Sequence, residues 1–261
     1  VTDFLIEFTA ASKLKSRRQY AEAIAAFEAL ADYPKATDLQ KSRVFAEAAF
    51  CARSLRDYQR ATELAAQIPS APIAKSARME ILLAQRNWTE IIAQFGEEDL
   101  KEWPFTAIGA GAFARGRAYY GAKDGEKAEA DYQLALDYTT DPRARLTLLG
   151  AIARNRETVL KNEDLALETY RAIAASTANR GGADYYSGLQ GAARLLTARK
   201  DFDEALKILD QVDADKLGGS WSASMHFSRA ETLAAAGKKA EALKAYRAVL
   251  KNKSTSKALG T

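Results

Sequence analysis

Residues 237–250 read GKKAEALKAYRAVL, a basic stretch in which apolar residues recur at the spacing of one helix face. Taken alone, such a pattern is typical of an amphipathic helix that lies on a membrane or on a partner protein. Related stretches start at residues 18, 56, 86, 123, 161 and 200, with the sequences RQYAEAIAAF, RDYQRATELA, RNWTEIIAQF, KDGEKAEADY, KNEDLALETY and KDFDEALKIL. Self-similarity at a regular step indicates a repeat protein, of which residues 237–250 are one copy.

Two columns of residues align the seven stretches. The first column holds alanine in six of seven places: Ala23, Ala61, Ile91, Ala128, Ala166, Ala205 and Ala242. The second, four residues later, holds an aromatic residue in five of seven: Phe27, Ala65, Phe95, Tyr132, Tyr170, Leu209 and Tyr246. Aromatic residues are 9% of the chain, so chance would place fewer than one of them in seven positions. Residues four apart share a helix face, so each pair is predicted to pack against a neighbouring helix.

A second helical pattern precedes these stretches, and it also carries a small residue at matching places. This further column holds Ala49, Gly116, Ala193 and Ala230. Each unit is therefore predicted to be a helix, a tight turn that carries a charged or glycine-containing pair, and a second helix. One helix pair cannot bury its apolar face alone, so the units are expected to stack.

The predicted repeats cover approximately residues 1–36, 37–70, 71–104, 105–141, 142–178, 179–216 and 217–250, and a polar tail follows at 251–261. The steps between residues of the first column are 38, 30, 37, 38, 39 and 37, so one unit is short. The loops between units are brief and not of low complexity. This favours a single domain over residues 1–250.

The columns resemble those of the tetratricopeptide repeat (TPR) family, whose unit of about 34 residues often ends its second helix at a proline. The best matches are Tyr20-Ala23-Phe27-Pro34 and Gly116-Tyr119-Ala128-Tyr132-Pro142. The resemblance implies an all-α fold, an α-solenoid with a right-handed superhelix of about seven helix-turn-helix repeats. Its first helices would line a concave groove that holds a peptide or a helix of a partner protein. The fifth unit departs from the pattern with Arg154 and Glu157, and the first helix of the third unit matches poorly.

The register of the family implies which first-helix residues face the groove. They are Phe50 and Arg53 in the second unit, Phe113, Arg117 and Tyr120 in the fourth, Asn155 and Thr158 in the fifth, and Gln190 and Arg194 in the sixth. Aromatic residues beside arginine are enriched at protein interfaces, and arginine binds carboxylates. The alternative is that Phe113 and Tyr120 pack between helices and that the arginines are merely solvated.

Composition narrows the classes of partner. The 261 residues include 38 basic and 34 acidic ones, an interspersed balance with net charge +4 that does not indicate nucleic-acid binding. No apolar run approaches the roughly 18 residues of a transmembrane helix, so a soluble chain is expected. Its compartment stays open: it is either cytoplasmic or exported with a signal or anchor segment missing, since the sequence starts with Val rather than Met.

Candidate catalytic residues are few and scattered. His226 is the only histidine, and without neighbours that would make it a base or metal ligand it is predicted to be a packing or surface residue. Cys51, the only cysteine, lies in a different unit and is predicted to be a small core residue. The acidic runs at 96–99 and 163–164 fall at turns or helix starts, and no phosphate-binding loop occurs. No enzymatic activity, metal or cofactor is therefore predicted.

The sequence thus favours a protein–protein interaction scaffold or adaptor that binds a peptide or helix of a partner in its groove. The alternative is a structural spacer or oligomerisation domain of a larger protein, which associates through uncapped ends. That alternative follows from the lack of a clear capping helix after Leu250.

Overall fold

The computed structural model describes residues 2–177 and 180–251. In those residues it contains fourteen α-helices, two short 3-10 helices and no strand. The chain divides into two compact units, Val1–Tyr138 (unit 1) and Thr139–Thr261 (unit 2). The predicted tail lies, from residue 252 onward, outside the described residues. The all-α prediction is confirmed, and the single domain over residues 1–250 stays a prediction.

Unit 1 consists of four consecutive helix pairs. The pairs are α1 (Thr2–Ser16) with α2 (Tyr20–Ala31), α3 (Asp38–Ser54) with α4 (Tyr58–Ala66), α5 (Ala71–Ala84) with α6 (Trp88–Phe95), and α7 (Phe105–Gly121) with α8 (Gly125–Asp137). A 3-10 helix, Leu100–Glu102, lies between the third and fourth pairs. The first helices α3, α5 and α7 lie next to one another in contact.

Unit 2 consists of three helix pairs. They are α9 (Pro142–Thr158) with α10 (Glu163–Ala175), α11 (Ala183–Ala198) with α12 (Phe202–Leu209), and α13 (Gly219–Ala235) with α14 (Lys239–Lys251). A second 3-10 helix, Ala214–Lys216, precedes α13. The first helices α9, α11 and α13 lie side by side, and α11 contacts both of the others.

Residues of the small and aromatic columns pack between neighbouring helices, within a pair as for Tyr132 against Gly116, and between pairs as for Tyr170 against Gly191. Every residue of the small column is buried, with an exposed fraction of 0% at six positions and 4% at Ala242. The fourth pair shows why small residues are needed, because a Cβ added at Gly116 would lie 2.8 Å from the ring of Tyr132. A larger residue at Gly116 would push the two helices apart.

All seven turns between a first and a second helix contain one residue with a positive φ angle. These residues are Arg18, Arg56, Arg86, Lys123, Lys161, Lys200 and Gly237. In the fourth pair, the N–H of Asp124 donates to the carbonyl of Tyr119 at 2.9 Å, and this bond closes the turn. Asp124 also caps α8, because its side chain accepts from the N–H of Lys127 at 3.2 Å. The charged pair of each sequence repeat is thus a left-handed residue followed by the residue that precedes the second helix.

The fifth turn is one residue longer than the others. Its closing bond joins the N–H of Asn162 to the carbonyl of Arg156, six residues back, whereas the other turns close over five residues. The positive φ of Lys161 accordingly comes three residues after the end of α9, rather than two. The residues of α9 are therefore shifted by one position relative to the register expected from the turn pairs. In the corrected register Ala153, which is fully buried, occupies the small-residue position.

A buried ion pair stabilises the connection between the third and fourth pairs. Arg115 on α7 donates two hydrogen bonds of 2.7 Å to the carboxylate of Asp131 on α8. The same guanidinium donates to the carbonyl of Phe95 at 3.0 Å and to that of Glu98 at 2.6 Å. Because α6 ends at Phe95, the first of these bonds satisfies a carbonyl group at the end of that short helix. The second fixes the loop that follows the helix.

Cys51 lies in the core of unit 1. The Cys51 side chain has an exposed fraction of 0%, and its burial raises the pKa of the thiol to about 11. The structure therefore places it in the core, as the sequence suggested.

Among the described residues, no helix combines the length and the apolar character that crossing a membrane requires.

Candidate protein-binding surface

The first helices of unit 1 carry a row of alternating aromatic and charged side chains. Phe50 on α3 has an exposed fraction of 40%, and its ring centre lies 5.2 Å from Nζ of Lys15 and 5.0 Å from the guanidinium carbon of Arg53. Contacts of cations with a ring face at this distance are attractive. The predicted neighbours Phe50 and Arg53 therefore lie together on the surface of unit 1.

Glu80 joins two of the predicted arginines. Its carboxylate lies 3.4 Å from Nη1 of Arg53 and 3.6 Å from Nη1 of Arg117. Glu80 was not among the predicted residues, although it lies four residues before the last residue of α5, as Arg117 does in α7. One carboxylate thus serves two guanidinium groups, and this small cluster keeps a net positive charge.

Phe113 and Tyr120 are half-buried rather than fully exposed. The ring centre of Phe113 lies 6.0 Å from that of Tyr132, and the guanidinium of Arg117 lies 5.7 Å above the Phe113 ring. Tyr120 lies 5.5 Å from Nζ of Lys123. Both side chains are therefore partly packed and partly exposed, and their role in binding stays a prediction.

Unit 2 contains an open groove of about 620 Å³. Its walls come from the first helices α9, α11 and α13, and Tyr170 of α10 contributes to its floor. The residues that line the groove include Gly150, Arg154, Gln190, Arg194, Phe227 and Glu231. Gln190 and Arg194 were predicted from the sequence, and the other four were not.

Hydrogen bonds hold the polar wall of this groove in place. The amide of Gln190 donates to Oγ of Ser224 at 2.6 Å and to Oγ of Ser228 at 3.1 Å, and so links α11 to α13. Two turns further along α11, the hydroxyls of Thr197 and Thr232 are 2.9 Å apart. The groove is therefore preformed by contacts between its own helices.

Glu157, Arg194 and Tyr170 form a second fixed cluster at the groove. The guanidinium of Arg194 donates two hydrogen bonds to the Glu157 carboxylate, and the Tyr170 hydroxyl donates a third at 3.0 Å. Burial by itself would raise the pKa of Glu157, but the hydrogen bond and charge of Arg194 hold it below its ordinary value. Burial, together with the charge of Glu157, raises the pKa of the Tyr170 phenol. The carboxylate stays ionised and the phenol stays a donor at neutral pH.

Three glycines of the groove differ in what surrounds them. A Cβ added at Gly188 would lie 2.3 Å from the side chain of Ile173, and one at Gly191 would lie 2.6 Å from the Tyr170 ring. Those two glycines permit close helix packing. A Cβ at Gly150 would meet nothing within 4 Å, although Gly150 lies inside α9. Gly150 therefore faces the open space of the groove.

Solved structures with the same arrangement of helix pairs decide the fold. The C-terminal part of a TPR repeat-containing protein from Cytophaga hutchinsonii matches with a TM-score of 0.55 and 14% identity, over 94% of this chain and 95% of that one. A tetratricopeptide repeat protein from Parabacteroides merdae matches with a TM-score of 0.50 and 12% identity, over 97% and 94%. The chain has the tetratricopeptide-repeat fold. No protein-family model and no curated protein matches the sequence.

The longer fifth turn explains why two predicted residues are displaced. Asn155 has an exposed fraction of 0%, so its side chain is in the core and does not face the groove. Thr158 is exposed but does not line the groove, and its hydroxyl donates to the carbonyl of Arg154 at 2.6 Å. Both placements are corrected by one residue, because the longer fifth turn shifts the register. Arg154 and Glu157 occupy the corresponding TPR positions.

The residues weighed for catalysis do not line the groove. Nε2 of His226 lies 3.0 Å from Oδ1 of Asp215, which joins α13 to the preceding 3-10 helix. Asp99 caps the other 3-10 helix, and Asp164 in the first turn of α10 lies 2.8 Å from Arg199. Among the described residues, no group of three or more His, Cys, Asp or Glu side chains could hold a metal ion.

Proposed function

We propose that this protein is an interaction scaffold that binds a segment of a partner protein in the groove of unit 2. The supporting observation is the groove itself, with a volume of about 620 Å³ between three first helices. Pockets for small ligands and peptide side chains span roughly 300 to 1,000 Å³. The volume is therefore large enough to take several residues of a peptide or one face of a helix.

Rigidity supports the same proposal. The Gln190 bonds to Ser224 and Ser228 fix the spacing of α11 and α13, and the Arg194 bonds to Glu157 fix that of α9 and α11. A site whose walls are already fixed loses little conformational entropy when a ligand binds. Gly150 adds room to the groove, because it has no side chain and faces open space. A glycine inside a helix costs about 0.5–1 kcal/mol of stability relative to alanine, and no packing contact requires a glycine at this position.

The test uses a displayed library of random 12-residue peptides and the full chain. Enriched peptides are synthesised, and their affinities are measured by fluorescence polarisation for the native protein, Gly150→Ala and Gly150→Trp. Gly150→Ala adds one methyl group in open space and serves as the matched control. We expect Gly150→Trp to abolish binding by filling the groove, while Gly150→Ala keeps it. If no peptide is enriched, or if Gly150→Trp binds as well as the native chain, the proposal is wrong.

A second candidate is self-association through the end helices. Apolar side chains are exposed on α1, where Leu5 and Ile6 have exposed fractions of 54% and 63%, and on α14, where Leu243 and Leu250 have 51% and 65%. Exposed apolar residues grouped in this way mark interaction surfaces. Sedimentation velocity over a hundredfold range of concentration checks this candidate. A monomer at every concentration, for both the native chain and Leu243→Lys, would exclude it.

A further inference from the structure

We infer that the segment bound in the unit 2 groove carries an aspartate or glutamate side chain that pairs with Arg154, beside an apolar side chain that contacts Phe227. This inference rests on the proposed function, because it assumes that a protein segment occupies the groove. It adds the chemistry by which that segment is chosen.

Arg154 belongs to a row of residues that the first helices share. Each member lies four residues before the last residue of its helix, and the members are Phe50, Glu80, Arg117, Arg154, Arg194 and Glu231. The charged members other than Arg154 have internal partners. Arg117 pairs with Glu80, Arg194 pairs with Glu157, and Glu231 accepts a hydrogen bond from Tyr246.

Arg154 differs from these, because its guanidinium has no ion pair and no hydrogen bond with any residue of the described chain. The carboxylate nearest to it along α9 is that of Glu157, three residues later. Glu157 already accepts two hydrogen bonds from Arg194 and one from Tyr170, and it lies beyond ion-pair distance of Arg154. An exposed guanidinium at the wall of a groove is thus left with unused donors.

The unpaired donors of Arg154 indicate what the guanidinium would bind. Asp184, another charged residue of the groove, accepts a hydrogen bond of 2.6 Å from the hydroxyl of Thr147. Glu231 likewise accepts a hydrogen bond from a hydroxyl, that of Tyr246. Arg154 is thus the charged side chain of the groove that has no hydrogen-bond or ion-pair partner among the described residues. A carboxylate fits a guanidinium with two parallel hydrogen bonds, which are stronger than bonds between neutral groups.

The surroundings of Arg154 add an apolar requirement. Phe227 on the opposite wall has an exposed fraction of 50%, and Gly150 lies one turn before Arg154 on the same face of α9. A ligand side chain placed over Gly150 meets open space, and the exposed Phe227 ring offers an apolar surface in the same groove. A chain terminus would need several converging donors, and Arg154 offers one guanidinium. An internal acidic residue next to an apolar one is therefore the better occupant.

The experiment compares peptides selected from the displayed 12-residue library by the native chain, Arg154→Gln and Arg154→Glu. Lys207→Gln is the matched control, since it removes the same charge from α12, outside the groove. We expect native-selected peptides to share an acidic residue next to an apolar one. Their dissociation constants should rise about 10- to 100-fold for Arg154→Gln and stay unchanged for Lys207→Gln. Arg154→Glu should instead select peptides with lysine or arginine at the acidic position. Circular dichroism and thermal unfolding check that each variant is folded.

The outcomes separate the inference from the proposed function. Peptides that bind and are lost with Gly150→Trp, but that lack a shared acidic residue or are unaffected by Arg154→Gln, would overturn the inference and leave the proposed function standing. Peptides that bind independently of Gly150→Trp, or no peptides at all, would overturn both. Binding of an RNA, an anionic vesicle or a second copy of the chain that requires Arg154, in place of peptide binding, would also overturn the inference.

Discussion

Equivalent positions of the first helices hold different residues in the two units, and so form different surfaces. In unit 1 the row contains Phe50, Glu80 and Arg117, and the charges are paired within the row or stacked on aromatic rings. In unit 2 the equivalent positions hold Arg154, Arg194 and Glu231, and the row one turn earlier includes Gly150 and Gln190. In unit 2 these first-helix residues line a groove of about 620 Å³, whereas in unit 1 the Arg117 guanidinium stacks on the Phe113 ring.

This difference teaches that the helix pairs set where a surface lies, and that a few side chains decide whether it is open. Both units use the same buried columns and the same left-handed turns, so their backbones are built alike. In unit 2 Gly150 lies beside open space, and the Arg154 guanidinium at the same groove has no internal partner.

The largest difference between the units should come from the buried ion pair of unit 1. Asp131→Ala leaves Arg115 charged, buried and without its carboxylate, which should lower the free energy of unfolding of unit 1 by about 3–5 kcal/mol. The matched change in unit 2 is Thr169→Val, one residue before Tyr170 as Asp131 is before Tyr132, and it should cost only about 1 kcal/mol. Hydrogen exchange in increasing urea, followed by mass spectrometry, reports each unit separately. Equal losses in the two variants would contradict the prediction.

The groove glycines should respond with opposite signs. Gly191→Ala places a methyl group against the Tyr170 ring and should destabilise unit 2 by about 1–3 kcal/mol. Gly150→Ala adds its methyl group in open space and should stabilise the helix by about 0.5–1 kcal/mol. Thermal unfolding of both variants beside the native chain checks the pair. A destabilised Gly150→Ala variant would mean that this position is not open.

The left-handed turns occur in both units, so replacing their positive-φ residue by glycine should stabilise the two units alike. Lys200→Gly and Lys123→Gly each relieve a positive φ of 66° at a residue with a Cβ, and each should gain about 1 kcal/mol. Lys207→Gly, inside α12, is the control, and it should lose about 1 kcal/mol. Urea midpoints measured for the three variants test the signs. A loss for Lys200→Gly would show that its side chain stabilises the turn in another way.

The smallest effect should be a dependence of unit 2 on acidic pH. Because the folded pKa of Glu157 is lowered, its contribution is present above its unfolded pKa of about 4.3 and is lost as the pH falls through the folded value. Arg194 is 57% exposed, so the contribution should be under about 1 kcal/mol. Melting temperatures of the native chain and Glu157→Gln should differ near pH 7 and converge below about pH 3. A difference that persists unchanged in acid would point to packing, not charge.

Most of the fold could be predicted from the sequence, because the repeated columns record the core directly. Ala128 and Tyr132 can be recognised as core residues, because the same kind of pair recurs in other repeats, and both are buried. The turn pairs were visible too, although their left-handed geometry was not. The buried Arg115 could not be recognised, since an arginine in a helix is ordinarily exposed and its bonds to Phe95 and Glu98 depend on a loop that has no repeat.

The surface was harder to predict, because it depends on the exact register of each first helix. One extra residue in the fifth turn moved Asn155 into the core and Arg154 into the groove. A signal was present, since Ala153 suits the small position better than Arg154 does. Gly150 and Phe227 gave no signal at all, because empty space beside a glycine arises only once three helices are assembled.

The burial of Cys51 has a practical consequence for studying the groove. It is the only cysteine of the chain, and its thiol has a raised pKa of about 11, so the native protein offers almost no thiolate to alkylating reagents at neutral pH. Gly150→Cys would introduce one reactive thiol at the open wall of the groove. A fluorophore attached there would report on occupancy in real time, without any need to remove the native cysteine.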